Sequence, residues 1–212
     1  MATTALRPRT RIEDLRRGEL ISAAHRVFMQ DGLSGLTTAR ICAAAGMSPG
    51  ILSYYFSGKD EVLYAMVRMN NRALAQDVVA RLRGARTRWD RLEAIVEGNF
   101  PAAFYTRNVA TAWLSVCAAS VRNDRFARLQ RLFHSRLASN LVSVFGDIVP
   151  IPERALLILS IAAQIDGLWL RKSTDPDLDR ARAVEVVLRS VMAQLGPDTC
   201  TVLQGQAVRP RG

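Results

Sequence analysis

Paired cysteines are missing from this sequence. Cys42, Cys117 and Cys200 are the three thiols among 212 residues, and no two share a disulfide-framework or metal-ligand spacing. That excludes a disulfide scaffold and a cysteine-based zinc site, and it fits a reducing compartment. Histidine is scarcer: His25 and His134 stand alone, with no Ser-His-Asp or metal-binding pattern around them, and no glycine-rich phosphate loop occurs. Neither catalysis nor a metal or cofactor is therefore expected, and each histidine reads as an ordinary surface or core side chain. Alternating strand patterns are almost absent. Long apolar runs are absent too. The most apolar stretch, Ala155 to Leu170, is too short to span a bilayer comfortably and carries Gln164 and Asp166. Met1 to Arg11 is polar and basic, without the apolar centre of a signal peptide. The expectation is a soluble cytoplasmic protein with no membrane partner.

What is present is a chain able to build a core. Hydrophobic residues make up 49% and charged residues 23%, outside the range of disordered chains. Lys and Arg number 29 against 19 Asp and Glu, a formal charge of +10. That balance suits a polyanion partner such as nucleic acid without establishing one. The charge is not concentrated at one end: residues 1–75 hold 10 Arg/Lys and 6 Asp/Glu, a net +4, which leaves +6 for the remainder. A local motif has to carry the functional argument.

Periodicity predicts an all-α chain. Apolar residues at Leu15, Leu20, Ala23, Ala24, Val27 and Phe28 place a helix over Ile12–Asp31, stopped at Gly32. Short helices follow over Ala39–Ala45 and from Pro49 to Tyr55, and a long one begins near Lys59 and Asp60. Beyond these, helical segments are expected over Trp89–Tyr105, Val109–Ala119, Asp124–Val149, Glu153–Arg171 and Leu178–Leu195. The domain reading is a flexible basic arm over 1–11 and an N-terminal helical domain over 12–75. A larger helical domain follows over 76–195, then a Gly- and Pro-rich disordered tail over 196–212.

Residues 37–56 have the layout of a helix-turn-helix. Thr37 or Thr38 can cap the first helix by accepting a free backbone N–H. Gly46-Met47 supplies the tight turn, and Ser48 with Pro49 opens the second helix. Ala43 and Ala44 let the helices approach, while Ile41, Met47 and Leu52 supply apolar contacts. In such a unit the second helix enters the major groove with its N-terminal residues toward the base edges. The order Gly50, Leu52, Tyr55-Phe56, Lys59, Leu63 resembles the signature of the TetR family of one-component transcriptional regulators. The resemblance spans nearly the whole chain. It implies an N-terminal DNA-binding domain followed by a helical effector-binding and dimerisation domain.

The resemblance implies that Ser48, Pro49, Gly50, Ser53 and Tyr54 lie on or beside the recognition helix. Gly50 permits close approach to the groove. Tyr54 and Tyr55 offer hydroxyls and ring faces to the DNA. Thr37, Thr38 and Lys59 sit at helix starts suited to phosphate clamping, and Arg40 can reach phosphate or base. Arg7, Arg9 and Arg11 could add minor-groove or nonspecific contacts. Phe56 reads as core, Arg16 and Arg17 as a solvated helix face, and either tyrosine could pack instead of touching DNA.

The C-terminal half is similar to the choline-responsive branch of that family, on Arg136-Leu137, Ser139-Asn140-Leu141-Val142-Ser143, Phe145 and Ile165 through Arg171. The branch implies a dimeric repressor released from a near-palindromic operator by a small effector, choline or another quaternary ammonium compound. A regulator of another pathway with a different hydrophobic or cationic effector is the alternative. A quaternary ammonium needs aromatic faces and a carboxylate, since it donates no N–H. Candidates are Trp89, Phe100, Phe104, Tyr105, Trp113 and Trp169, with Asp166 three residues before Trp169 on the same helical face. The branch implies a second aromatic one turn after Trp113, where Cys117 stands here. Trp113 and Trp169 read equally as core or interface residues, and Asp166 as a structural carboxylate. Ala155, Ile158, Ala162, Ile165, Ala183, Val187 and Val191 recur at helical spacing and mark the expected dimerisation helices.

Overall fold

The computed structural model describes residues 8–207, with side chains from Ile12 onward. Among the described residues the chain is all-helical, apart from one isolated bridge between Thr87 and Ala207. In order the helices are α1 (Pro8–Gly35), α2 (Thr38–Ala45), α3 (Pro49–Tyr55), α4 (Lys59–Gly84), α5 (Arg88–Gly98), α6 (Arg107–Ser120), α7 (Asp124–Phe145), α8 (Ile151–Thr174) and α9 (Arg180–Gly205). The chain divides into two compact units between Asn70 and Asn71, inside α4, rather than after residue 75.

The first unit is built around the apolar stripe of α1. Leu20, Ala23, Ala24, Val27 and Phe28 are buried with Leu36, Ile41, Leu52, Phe56, Val62 and Met66 from the following helices. Residues 8–11, expected in a flexible arm, already belong to α1; the rest of that arm lies outside the described residues. Helical bonding also continues beyond Asp31 to Gly35, bent where Gly32 takes φ 68°. A positive φ costs glycine little, so it bends the chain without ending the run.

The second unit gathers α5 to α9 and the end of α4 around one core. Leu92, Ile95, Phe100, Leu141, Phe145, Ile161, Ile165, Ala183, Val187 and Val191 are fully or almost fully buried there. The helix expected over Trp89–Tyr105 stops at Gly98, because Pro101 lacks the N–H needed to continue. Seven turn residues then lead to Thr106, which caps α6 by accepting from Val109 N–H. Helix α7 ends at Phe145, ahead of Gly146, not at Val149.

The expected disordered tail is corrected as well. Gly196 takes φ 75° and Pro197 starts a new helical run, so the Gly-Pro pair is a kink rather than a stop. Cys200 and Leu203 beyond it are buried, and Arg88 N–H donates to Gln206 O at 3.2 Å. Burial of those two side chains holds the segment that composition alone assigned to a tail.

Candidate DNA-reading face and effector site

The helix-turn-helix is fixed by short-range chemistry. Thr37 accepts from Arg40 N–H at 3.4 Å, capping α2. At the other end Gly46 sits in the left-handed region, φ 65° and ψ 33°. Its N–H donates to Ala43 O, and Met47 N–H donates to Cys42 O at 2.9 Å. These bonds satisfy carbonyls that the helix end leaves open. Arg26 of α1 donates to Ala44 O at 2.8 Å, tying the same end to the core. Pro49 opens α3 with φ preset, and Ser48 makes no side-chain cap bond.

The outcome is a short helix with two faces. Leu52 and, just beyond the helix, Phe56 are buried. Pro49, Gly50, Ile51, Ser53 and Tyr54 are exposed, Tyr54 at 68%, and no side chain approaches within 4 Å of where a Gly50 Cβ would stand. Tyr55 is half-buried, its ring edge-on to Tyr54 at 4.9 Å. Thr37, Thr38 and Lys59 are exposed at helix starts, and Lys59 Nζ lies 3.5 Å from Leu33 O. Arg40 is exposed but ion-paired with Asp31 at 2.7 Å, so reaching DNA requires exchanging that partner.

Arg17 departs from the sequence reading. Its guanidinium lies 4.6 Å from the Phe56 ring centroid and 3.6 Å from Glu61, clamping the start of α4 rather than facing only solvent. Arg16, in contrast, makes an exposed pair with Glu19, as a solvated face would.

In the second unit the aromatic candidates separate into two groups. Phe100, Tyr105 and Trp169 pack on one another, with centroids 5.3, 6.4 and 5.0 Å apart. This group is closed by hydrogen bonds. Trp169 Nε1 donates to Asn99 O at 3.1 Å, and the Tyr105 hydroxyl donates to Leu168 O at 3.3 Å. Burial, with Asp179 and Asp175 adding their charge, pushes the Tyr105 hydroxyl up to about 12. A cation is already present: Lys172 Nζ stands 5.6 Å from the Tyr105 ring and donates to Pro176 O. These rings read as core.

Asp166 belongs to the other group, although it precedes Trp169 by one helical turn. It lies 3.0 Å from His134 Nε2 on α7. Next to His134 is Phe133, whose ring meets Trp113 at 5.6 Å. Cys117, one turn after Trp113, accepts from Gln130 Nε2 at 3.0 Å. Trp113, Phe133, His134 and Asp166 are all half-buried. The Asp166 hydrogen bond and charge hold the His134 imidazole above its usual value, against the pull of burial. Burial pushes the Cys117 thiol up, with Asp166 adding and the Gln130 bond opposing.

Trp89 Nε1 donates to Glu93 at 2.7 Å, and Phe104 sits in the turn after Pro101. Sequence reasoning missed Gln130, Phe133 and His134 as neighbours of Asp166. Their i, i+3, i+4 spacing on α7 was the available signal.

The supposed dimerisation residues also need correction. Ile165, Ala183, Val187 and Val191 are fully buried in their own subunit's core. The large apolar side chains that α8 and α9 leave exposed are Ile151 at 72%, Leu156 at 69%, Leu159 at 66%, Leu170, Val186, Met192 and Val202.

Comparison with known proteins follows this division. Residues 20–66 match the model of the bacterial regulatory proteins of the tetR family. Residues 88–196 match that of the BetI-type transcriptional repressor, C-terminal. The chain belongs to the TetR family, in its BetI type. The BetI regulator of Brucella canis is 35% identical over 189 residues, covering 89% of this chain and 96% of that protein. That of Stenotrophomonas maltophilia is 40% identical over 169 residues, covering 78% and 85%. Among solved structures, a transcriptional regulator from Pseudomonas aeruginosa PAO1 superposes with a TM-score of 0.70 at 22% identity, over 94% of this chain and 97% of that one. A regulator from Saccharomonospora viridis in complex with choline gives 0.69 at 20% identity, over 93% and 100%. These two show the shared TetR fold. This TetR-family chain is thus a transcriptional repressor of the BetI type. Among its described residues no helix is long and apolar enough to cross a membrane.

Proposed function

We propose that this repressor works as a dimer that holds a near-palindromic operator and lets go when a small quaternary ammonium compound, choline or a close relative, binds its second unit. The observation that carries the DNA half is the exposed face of α3, with Pro49, Gly50, Ser53 and Tyr54 outward over buried Leu52 and Phe56. Ser53 and Tyr54 read base edges. Thr37, Thr38, Tyr55 and Lys59 hold phosphates, with Arg40 joining once it leaves Asp31. Two such helices in a twofold dimer reach half-sites roughly 34–36 Å apart. The exposed apolar side chains of α8 and α9, Leu156 and Leu159 first, support that dimer by pairing across the twofold.

Release requires an effector that favours the form unable to span both half-sites. Helix α4 starts beside the reading face and ends in the second unit. There Arg81 and Arg180 both meet Glu97 of α5, at 2.8 and 3.1 Å. Gly98 lies so close to α4 that a Cβ would stand 2.5 Å from Val78. A shift of the effector-binding helices therefore reaches α4 through α5. The relative with choline bound supports choline as the first effector to try.

A second reading keeps the repressor and changes the effector. Cys117 favours it, since a thiol offers no π face to a cation. Sedimentation of the protein and of Leu156→Glu tests the dimer, and competition with random DNA at fixed salt tests the operator. A monomeric wild-type protein, or equal affinity for random and upstream DNA, would remove the proposal.

A further inference from the structure

The cluster on α6, α7 and α8 has an arrangement that the family assignment does not supply. Trp113, Phe133 and His134 form a run of edge-on rings, at 5.6 and 5.5 Å between neighbours. Asp166 closes the run with a carboxylate, its side chain 40% exposed. Gln130 Oε1 is buried with no hydrogen-bond partner among the described residues, although the amide nitrogen is bonded to Cys117. Exchanging the two ends of the amide would leave the NH2 unmatched instead, so one polar atom here lacks a partner in either orientation. Rings, a carboxylate and an unused polar group on one half-buried patch are the requirements of a small organic cation that carries a hydroxyl.

We propose that Phe133 and His134 are walls of the effector site, that Asp166 is its counter-ion, and that the proton on His134 and a cationic effector compete for that carboxylate. This rests on the reading of the protein as a cation-released repressor. When His134 is protonated, its Nε2–H bonds Asp166 and cancels the charge that would attract a quaternary ammonium. When His134 is neutral, the Asp166 charge is no longer cancelled and the imidazole remains as a ring wall. Binding therefore releases a proton, and the raised imidazole value moves the competition above the ordinary histidine range.

The surrounding groups leave that competition to the pair. Cys117 is the titratable side chain facing it from α6, and burial keeps its thiol protonated through the neutral range. On α7, Gln130 and Phe133 carry no charge, while Arg131 and Arg136 are exposed. On α8, Asp166 itself supplies the charge that moves His134. Nothing else in the scheme needs to titrate.

The test is calorimetric titration of the full-length protein with choline at about pH 6 and about pH 8.5, at one ionic strength and in two buffers of different ionisation enthalpy. The expected result is tighter binding at the higher pH, by up to about tenfold per pH unit below the His134 value, with proton release seen as a buffer-dependent heat. His134→Phe keeps a ring and removes the proton, so its choline affinity should be flat with pH. Phe133→Ala should weaken binding about tenfold, the loss of one cation–π wall. A melting curve of each unliganded variant separates lost binding from lost folding. Choline binding that is equally tight at both pH values in the wild type overturns this proposal and leaves the effector reading standing. No choline binding at either pH overturns both. A His134→Phe variant that melts normally and keeps the wild-type pH dependence overturns the role of His134.

Discussion

The two units use aromatic side chains in opposite ways. In the first, Tyr54 stands 68% exposed on a helix of seven residues, and its neighbour Tyr55 is only half-buried. In the second, Phe100 is fully buried, Tyr105 and Trp169 almost so, each polar tip bonded to a backbone carbonyl. An exposed ring on a short helix contributes little to folding and is available to a partner. A buried ring with its N–H or O–H satisfied contributes to the core and is not available without opening it. The half-buried cluster of Trp113, Phe133, His134 and Asp166 lies between these extremes. Burial, more than residue type, separates the rings that hold the protein together from those that can meet a ligand.

The largest expected effect breaks the comparison at Trp169. Trp169→Ala should cost about 3–5 kcal/mol of stability, measured by denaturant melting, because it opens a cavity and orphans the Asn99 carbonyl. A variant that stays as stable as wild type but loses effector response would return Trp169 to the effector site. Next is Tyr54→Ala. Operator affinity should fall by about 1–3 kcal/mol with the melting curve unchanged, since the ring is exposed. Loss of stability with full DNA affinity would contradict the face assigned to α3. Thr37→Ala should cost about 0.5–1 kcal/mol through the lost cap of α2, at the low end because its bond is long at 3.4 Å. Hydrogen exchange confined to the first unit would register it.

The smallest effect concerns pH. The folded-state value of His134 is raised above its unfolded one by Asp166. The stabilisation from that pair is therefore fully present below the unfolded value, about 6.5, and is lost as pH rises through the folded value. The pair is partly exposed, so the effect is modest. Wild type should melt above Asp166→Asn at acidic pH, and the gap should close on the alkaline side. A gap that widens with pH would reverse the sign of the argument.

How far the sequence could be read follows the range of the interactions. The helix-turn-helix depends on Thr37, Gly46 and Pro49, whose partners lie within a few residues, so caps and turn signals sufficed. The proposed cation site depends on α7 placing Phe133 and His134 against Trp113 and Asp166, pairings that helical periodicity cannot register. Asp166 and Trp169 do share a helical face by spacing, yet Asp166 meets His134 of α7 while Trp169 donates to the Asn99 carbonyl just after α5. The same limit misplaced the dimer face: Ala183, Val187 and Val191 repeat at helical spacing whether they point to their own core or to a second subunit. Composition makes residues 196–212 a tail, but after a positive-φ glycine Pro197 begins a helix whose Cys200 and Leu203 are buried.

The central claim is that the first unit reads DNA and that Asp166 in the second governs its release. It is tested most directly by fluorescence anisotropy on DNA from the gene's own upstream region, with wild type and Asp166→Asn, with and without choline. The account predicts equal operator affinity for the two proteins, with choline releasing wild type and leaving Asp166→Asn bound. Release of both to the same extent, or of neither, would contradict it.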